Sequence, residues 1–343
     1  MQSSEKCYRR MRRKTSMLKI AQIGVGYWGP NILRNLVENK RCHVTAAVDL
    51  APERRDYVHR LYPAIKVTDS IDDVLKDRET DAIIIATPVA SHFELTMKAL
   101  EAGKHVLVEK PLARSVAEVE EIGRLADKKK RVAMAGHTFL FNAAVRYVKG
   151  LIDSGGLGNI RYIYSHRLNL GRIRTDVDAL WNFAPHDISI IQYWLNNATP
   201  ISVVKRGVDF IQKGIDDVVF MNILYPDKVM ANIHVSWLDP NKVRSMTVVG
   251  SRKMVVYDDV ADNKVAIYDK GIDRMAVLGK DMDYDDQRFP AFNYRSGDVL
   301  LPKIDFQEPL KAEIDHFIDC IEQGIPCITG IEHAKKVIAI LAS

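Results

Sequence analysis

Nothing in the 343-residue sequence is long and apolar enough to span a bilayer: no apolar run approaches the roughly 20 residues a spanning helix needs. Cysteine is scarce. Its four copies, Cys7, Cys42, Cys320 and Cys327, form no CxxC pair and no clustering with histidine, which argues against a disulfide framework or a zinc site. No metal is expected, and the default compartment is a reducing cytoplasm. Excess charge is also lacking once it is located. The net +5 resides in residues 1–16, where Lys6, Arg9, Arg10, Arg12, Arg13 and Lys14 stand against Glu5 alone; the rest of the chain carries equal numbers of basic and acidic residues. A neutral body removes the electrostatic case for a nucleic-acid binder. The basic segment has no apolar stretch before Met17, unlike a secretory signal, and is expected to be a disordered extension.

What is present falls into two textures. Up to about residue 140, short apolar runs (Leu18–Ile23, Val44–Leu50, Ala82–Ala86, His105–Val108, Val132–Ala135) alternate with amphipathic stretches. That pattern predicts a parallel sheet covered on both faces by helices, a doubly wound Rossmann arrangement. Ser115 followed by Glu118 reads as a capping box opening one of those helices. After Asn159 the segments 160–169, 201–209, 217–225, 229–237, 244–250, 253–258 and 264–269 alternate strongly with few helices between them, predicting an open, mainly antiparallel sheet. Residues 272–305 read as loop, and a helix is expected at about 309–323. The expected organisation is therefore a basic extension over 1–16, a dinucleotide domain over 17–140 and a substrate and oligomerisation domain over 141–343, with the last helices free to return to the first domain.

The strand Leu18–Ile23 runs directly into Gly24-Val25-Gly26-Tyr27-Trp28-Gly29, and Pro30 then opens a helix with Ile32, Leu33, Leu36 and Val37 on one side. In such a GxGxxG turn the glycines allow a tight turn, close approach of a pyrophosphate and helix–strand contact, while the helix N-terminus favours phosphate. Asp49 ends the next strand, 20 residues beyond Gly29, where a carboxylate accepts from ribose hydroxyls and repels a 2′-phosphate. NAD is expected over NADP, although Arg54 and Arg55 follow closely enough to serve a 2′-phosphate. Ala86-Thr87-Pro88 and Glu109-Lys110-Pro111 end later strands, and in a doubly wound sheet ligands gather at those carboxyl ends.

Taken together, Gly24-Val-Gly26-Tyr-Trp-Gly29-Pro30-Asn31, Ala86-Thr87-Pro88 with His92, and Gly103-Lys-His-Val-Leu-Val-Glu109-Lys110-Pro111 resemble the Gfo/Idh/MocA oxidoreductase family. The resemblance runs from about residue 17 to the end. It implies a Rossmann domain followed by an open antiparallel sheet, and cofactor contacts from Gly24 to Gly29, Asp49, Thr87, Pro88, His92, Glu109 and Lys110. It also implies that Lys110 meets the reacting hydroxyl, and that His186, within Ala184-Pro185-His186-Asp187-Ile188, serves as acid/base. Many members carry an aspartate four residues before that histidine, where this sequence has Asn182. An amide positions a hydroxyl but relays no proton, so proton transfer rests on His186 and Lys110. A free lysine ionises near 10.4, so using one as a base near neutral pH costs about 4 kcal/mol. His186 is therefore the expected base and Lys110 the polarising group; the swapped assignment stays open.

For the substrate, Asn142 and Arg172 join Lys110, Asn182 and His186 as candidate contacts, with Arg174 beside Arg172 as a further cation for a phosphate or carboxylate. The Trp-Asn-x-x-Pro-His-Asp wording is similar to nucleotide-sugar 3-dehydrogenases of surface-polysaccharide pathways, implying oxidation of a nucleotide-sugar to a 3-keto sugar. The alternatives are a dehydrogenase for a free sugar, inositol or dihydrodiol, and a regulator that binds NAD(H) without turnover. The alternating strands between 201 and 269 imply a homodimer or homotetramer.

Overall fold

The computed structural model describes residues 17–274 and 292–343; the basic segment 1–16 and much of the expected 272–305 loop lie outside them. The chain forms two compact units. One comprises the residues up to Gly136 together with Leu310–Ile331, and the other His137–Pro309 with Glu332–Ser343.

The first unit runs β1 (Leu18–Ile23), α1 (Gly29–Glu38), β2 (Cys42–Val48), α2 (Pro52–Leu61), β3 (Lys66–Thr68), α3 (Asp72–Leu75), β4 (Ala82–Ile85), α4 (His92–Glu101), β5 (His105–Glu109), α5 (Val116–Lys129) and β6 (Ala133–Gly136). All strands are parallel, in the order β3-β2-β1-β4-β5-β6, so the winding reverses between β1 and β4. This is the Rossmann order, and the reversal is where such sheets bind ligands. Every residue of β4 (Ala-Ile-Ile-Ile) is buried, as a strand covered on both faces requires. The helix starts follow their sequence signals: Pro30 stands in the first turn of α1, and the Ser115 hydroxyl accepts from the Glu118 N–H at 3.2 Å to open α5.

The second unit begins with a short 3₁₀ turn, Thr138–Phe141, followed by α6 (Ala143–Asp153), β7 (Ile160–Leu170), α7 (Ala179–Trp194), β8 (Ser202–Val208), β9 (Val218–Leu224), β10 (Met230–Ser236), β11 (Leu238–Gly250), β12 (Met254–Asp258), β13 (Val265–Arg274) and β14 (Phe292–Leu300). Its eight strands lie in the order β14-β13-β12-β11-β7-β10-β9-β8, antiparallel throughout except for the parallel pair β7–β10. The last strand corrects the expected loop over 272–305: β14 pairs with β13 from Ile267↔Leu300 to Arg274↔Phe292. Its sequence, FNYRSGDVL, lies at the sheet edge and from Tyr294 onward is almost entirely exposed. An edge strand with no face to bury needs no alternation, which is why periodicity missed it.

The chain then forms α8 (Pro309–Gln323) and α9 (Ile331–Ala342). Leu310, Ile314, Phe317 and Ile318 form the buried face of α8. That helix completes the first unit: Arg41 at the start of β2 reaches Asp319 at 2.7 Å and Glu322 at 2.6 Å, and the loop after α8 accepts from the Ala135 N–H of β6 through the Thr329 carbonyl at 2.9 Å.

Candidate active site

In the first unit the glycine loop lies at the carboxyl end of β1, at the reversal. Gly24 has φ +93°, and a Cβ there would meet the Ala86 carbonyl oxygen at 2.5 Å, so no other residue fits. A Cβ on Gly29 would meet the Gly24 oxygen at 2.5 Å. At Gly26, by contrast, a Cβ would meet nothing within 4 Å, which leaves the space a dinucleotide's phosphates need beside the α1 N-terminus. Buried Gln22 holds the turn shut: its amide donates to the carbonyls of Gly24 and Gly29, each at 2.9 Å. Gln22 belongs to no short motif; its one signal in the sequence is an amide in a strand whose other buried residues are apolar.

Asp49 reaches back to this loop, accepting from the Val25 N–H at 2.7 Å and the Ala51 N–H at 3.0 Å. Arg55 donates to the carbonyls of Asp49 and Leu50 and lies 3.7 Å from Asp69, so the loop after β2 already occupies it. Arg54 is exposed on the first turn of α2. Tyr27 is 92% exposed, and Trp28, beside it, hydrogen-bonds Glu109.

At the end of β5, burial pushes the Glu109 carboxyl up to about 7, against the opposing pull of Lys110 and of its bonds to the Lys110 N–H and Trp28. Lys110 is half-buried and joined to Pro111 by a cis peptide. His92 was expected among the cofactor contacts, but its ring is buried and meets two carbonyls, Pro111 through Nδ1 and Thr87 through Nε2, each at 2.8 Å. The ring ties together the two loops that carry Thr87 and Lys110. Burial lowers its pKa, and a neutral ring donates to only one of the two carbonyls.

In the second unit His186 lies two turns inside α7. Asp178 caps that helix by accepting from the Trp181 N–H at 2.8 Å, and Asn182 and His186 are one turn apart on the same face. The half-buried His186 ring meets Phe139 edge-on at 4.8 Å, and the Arg167 guanidinium stacks over Phe139, also at 4.8 Å. Arg167 grips Asp187 through Nε–Oδ2 at 2.7 Å and Nη2–Oδ1 at 3.2 Å, and the Ser165 hydroxyl donates to Asp187 at 2.7 Å. This buried group fixes the backbone next to His186 and the ring packed against it. None of Phe139, Ser165, Arg167 and Asp187 was singled out from the sequence, because they come from three separate elements. The one local signal is Asp187 adjoining His186.

Two expected substrate contacts have other tasks. Asn142 is buried: its Oδ1 caps α6 by accepting from the Ala144 N–H at 2.9 Å, and its amide lies 3.4 Å from the Tyr257 hydroxyl. Arg174 is clamped by Asp176 at 2.8 and 2.5 Å. Arg172 is exposed on the same loop. The absence of cysteine–histidine clustering is also corrected, since His316, Cys320 and Cys327 lie together. The first two are one helical turn apart and the third follows in a turn, a spacing that resembles no short metal motif.

Two family models meet this architecture where its units do. The oxidoreductase family model with an NAD-binding Rossmann fold matches residues 18–137, and the GFO/IDH/MocA C-terminal domain matches residues 145–256. The chain belongs to the Gfo/Idh/MocA oxidoreductase family. Among its relatives, an uncharacterised oxidoreductase of Streptococcus pneumoniae is 28% identical over 63% of this chain and 61% of its own. The alignment thus spans less than two thirds of that relative. A 2,7-anhydro-N-acetylneuraminate hydratase of Mediterraneibacter gnavus is 28% identical over 92% of this chain and 86% of its own. In fold, the chain is similar to the UDP-N-acetylglucosamine 3-dehydrogenase of Acidithiobacillus ferrooxidans, with a TM-score of 0.77 and 23% identity over 95% of each chain.

Proposed function

We propose that this protein is an NAD-dependent dehydrogenase that oxidises a secondary alcohol of a sugar, and that the sugar is a nucleotide-sugar oxidised at C3. The observation that carries the reading is the set at the strand ends of the first unit: an open glycine loop, a carboxylate at the end of β2 and Lys110 at the end of β5. Gly24–Gly29 would hold the pyrophosphate, Asp49 the adenosine ribose, and Thr87, Pro88 and Glu109 the nicotinamide side. When bound, the nicotinamide supplies the hydride acceptor. Lys110 donates to the substrate oxygen and polarises it; His186 accepts the hydroxyl proton, and Asn182, one turn away, orients a neighbouring hydroxyl. Arg172 is the available cation for a phosphate or carboxylate of the substrate.

Two names support different substrates. The structural neighbour acts on a UDP-sugar, whereas the relative from M. gnavus is named for an anhydro sugar acid, which favours a free-sugar reading as the second choice. On the second unit's sheet, Tyr162, Val204, Phe220, Leu224 and Met230 share one face and are exposed, which supports a homodimer or homotetramer. No helix among the described residues is long and apolar enough to cross a membrane.

The test is NADH formation from NAD⁺ with a panel of UDP-sugars, free polyols and sugar acids, repeated with Lys110→Ala and His186→Ala. Turnover of a UDP-N-acetylhexosamine, lost in both variants, supports the full reading. Turnover of free compounds alone removes the nucleotide-sugar. Tight NAD(H) binding with no turnover of any compound points to a binding module.

A further inference from the structure

The first unit holds a second group of reactive side chains that the proposed reaction does not use. His316 and Cys320 stand one turn apart on α8, and the following segment turns back so that His316, Cys320 and Cys327 place their ligand atoms within 4.8 Å of one another. His316 Nε2 lies 3.4 Å from Cys320 Sγ, and Cys320 and Cys327 share a hydrogen bond. A cation at about 2.3 Å from sulfur and about 2.0 Å from nitrogen requires ligand atoms about 3.5–3.8 Å apart, within reach of this set.

His316 Nε2 also accepts from the Ile328 N–H at 3.2 Å, so a bound cation would take the place of that hydrogen bond on the ring nitrogen's lone pair. Wholly buried Thr329 stands two residues beyond Cys327, and its N–H hydrogen-bonds the Cys327 sulfur. Cys320 is buried while His316 and Cys327 are partly exposed, which gives an entry path and an open side for water.

We propose that His316, Cys320 and Cys327 form a three-ligand site for a thiophilic divalent cation of the zinc class, with water as fourth ligand. Two sulfurs and an imidazole select zinc over magnesium or calcium. The bound cation would lock the last turn of α8 to the loop whose Thr329 carbonyl accepts from β6.

The test is titration of the reduced full-length protein with Co²⁺ alone. One equivalent should bind with thiolate-to-cobalt charge-transfer absorption, be displaced by Zn²⁺, and raise the melting temperature. Cys320→Ser and Cys327→Ser should each weaken binding at least about tenfold, while Cys42→Ser and Cys7→Ser leave it unchanged. X-ray absorption of the Zn²⁺-loaded wild-type protein should show two sulfurs and one nitrogen, a readout independent of variant folding. Absence of the charge-transfer band in the wild-type protein, or its survival in Cys327→Ser, overturns the proposal. So does a Cys320–Cys327 disulfide that forms equally fast with Zn²⁺ present.

Discussion

The two units place their polar groups by opposite means. In the first, the glycine loop is made mostly of backbone: crowded glycines beside a helix N-terminus, with the Gln22 amide closing the turn through two bonds. In the second, the surroundings of His186 are made of side chains, with Arg167, Asp187 and Ser165 buried around a shared carboxylate. A backbone site depends on glycine spacing and tolerates change around it. A side-chain site depends on every partner, because a buried charge that loses its counter-ion stays buried.

The comparison is broken most forcefully by removing one reactive group from each unit. Lys110→Ala and His186→Ala should each lower kcat by about 10²–10⁴-fold, while NADH binding, followed by fluorescence, persists in His186→Ala. A kcat within tenfold of wild type for either variant would remove that residue from the mechanism. Next in size is Asp187→Ala, which strands the Arg167 charge and should cost about 3–5 kcal/mol in denaturant unfolding. An apolar pair, Arg167→Met with Asp187→Leu, should recover most of that loss; no recovery would show that packing rather than charge dominates.

In the first unit, Gly29→Ala forces a Cβ to within 2.5 Å of the Gly24 oxygen. Titration should show NAD⁺ binding weakened about tenfold or more, which is about 1.4 kcal/mol, and unchanged affinity would mean the loop does not hold the dinucleotide. The smallest effect near neutrality concerns one histidine from each unit. Burial holds both His105 and His333 down to about 4. Between that value and the ordinary 6.5, the unfolded chain binds more protons than the folded one, so stability falls as pH drops through this window, by up to about 1.4 kcal/mol per pH unit per histidine. His333→Gln should flatten its share in urea melts at pH 4.5, 5.5 and 7; an unchanged slope would assign the acid sensitivity elsewhere.

The contrast also explains what could be read in advance. Strands β1, β2, β4 and β5 were legible because a strand buried on both faces is nearly all apolar, and the glycine loop because its spacing is local. β14 was not, since an exposed edge imposes no pattern. Asn142 and His92 looked like ligand contacts by position, yet a buried polar side chain must satisfy its own hydrogen bonds, and the helix start and the loop carbonyls nearby claim them. The Arg167–Asp187 pair spans 20 residues of sequence. The His316, Cys320 and Cys327 group depends on a helical turn followed by a chain reversal, and a linear scan shows neither.

One consequence concerns synthesis. The first unit is interrupted: Ala135 on its edge strand waits for the Thr329 carbonyl, and Arg41 for Asp319 and Glu322. On the ribosome, the nucleotide-binding sheet stays unfinished while residues 137–309 are made. A fragment cut at residue 140 would therefore keep every glycine of its loop and still lack the helix that meets Arg41 and the carbonyl that meets Ala135.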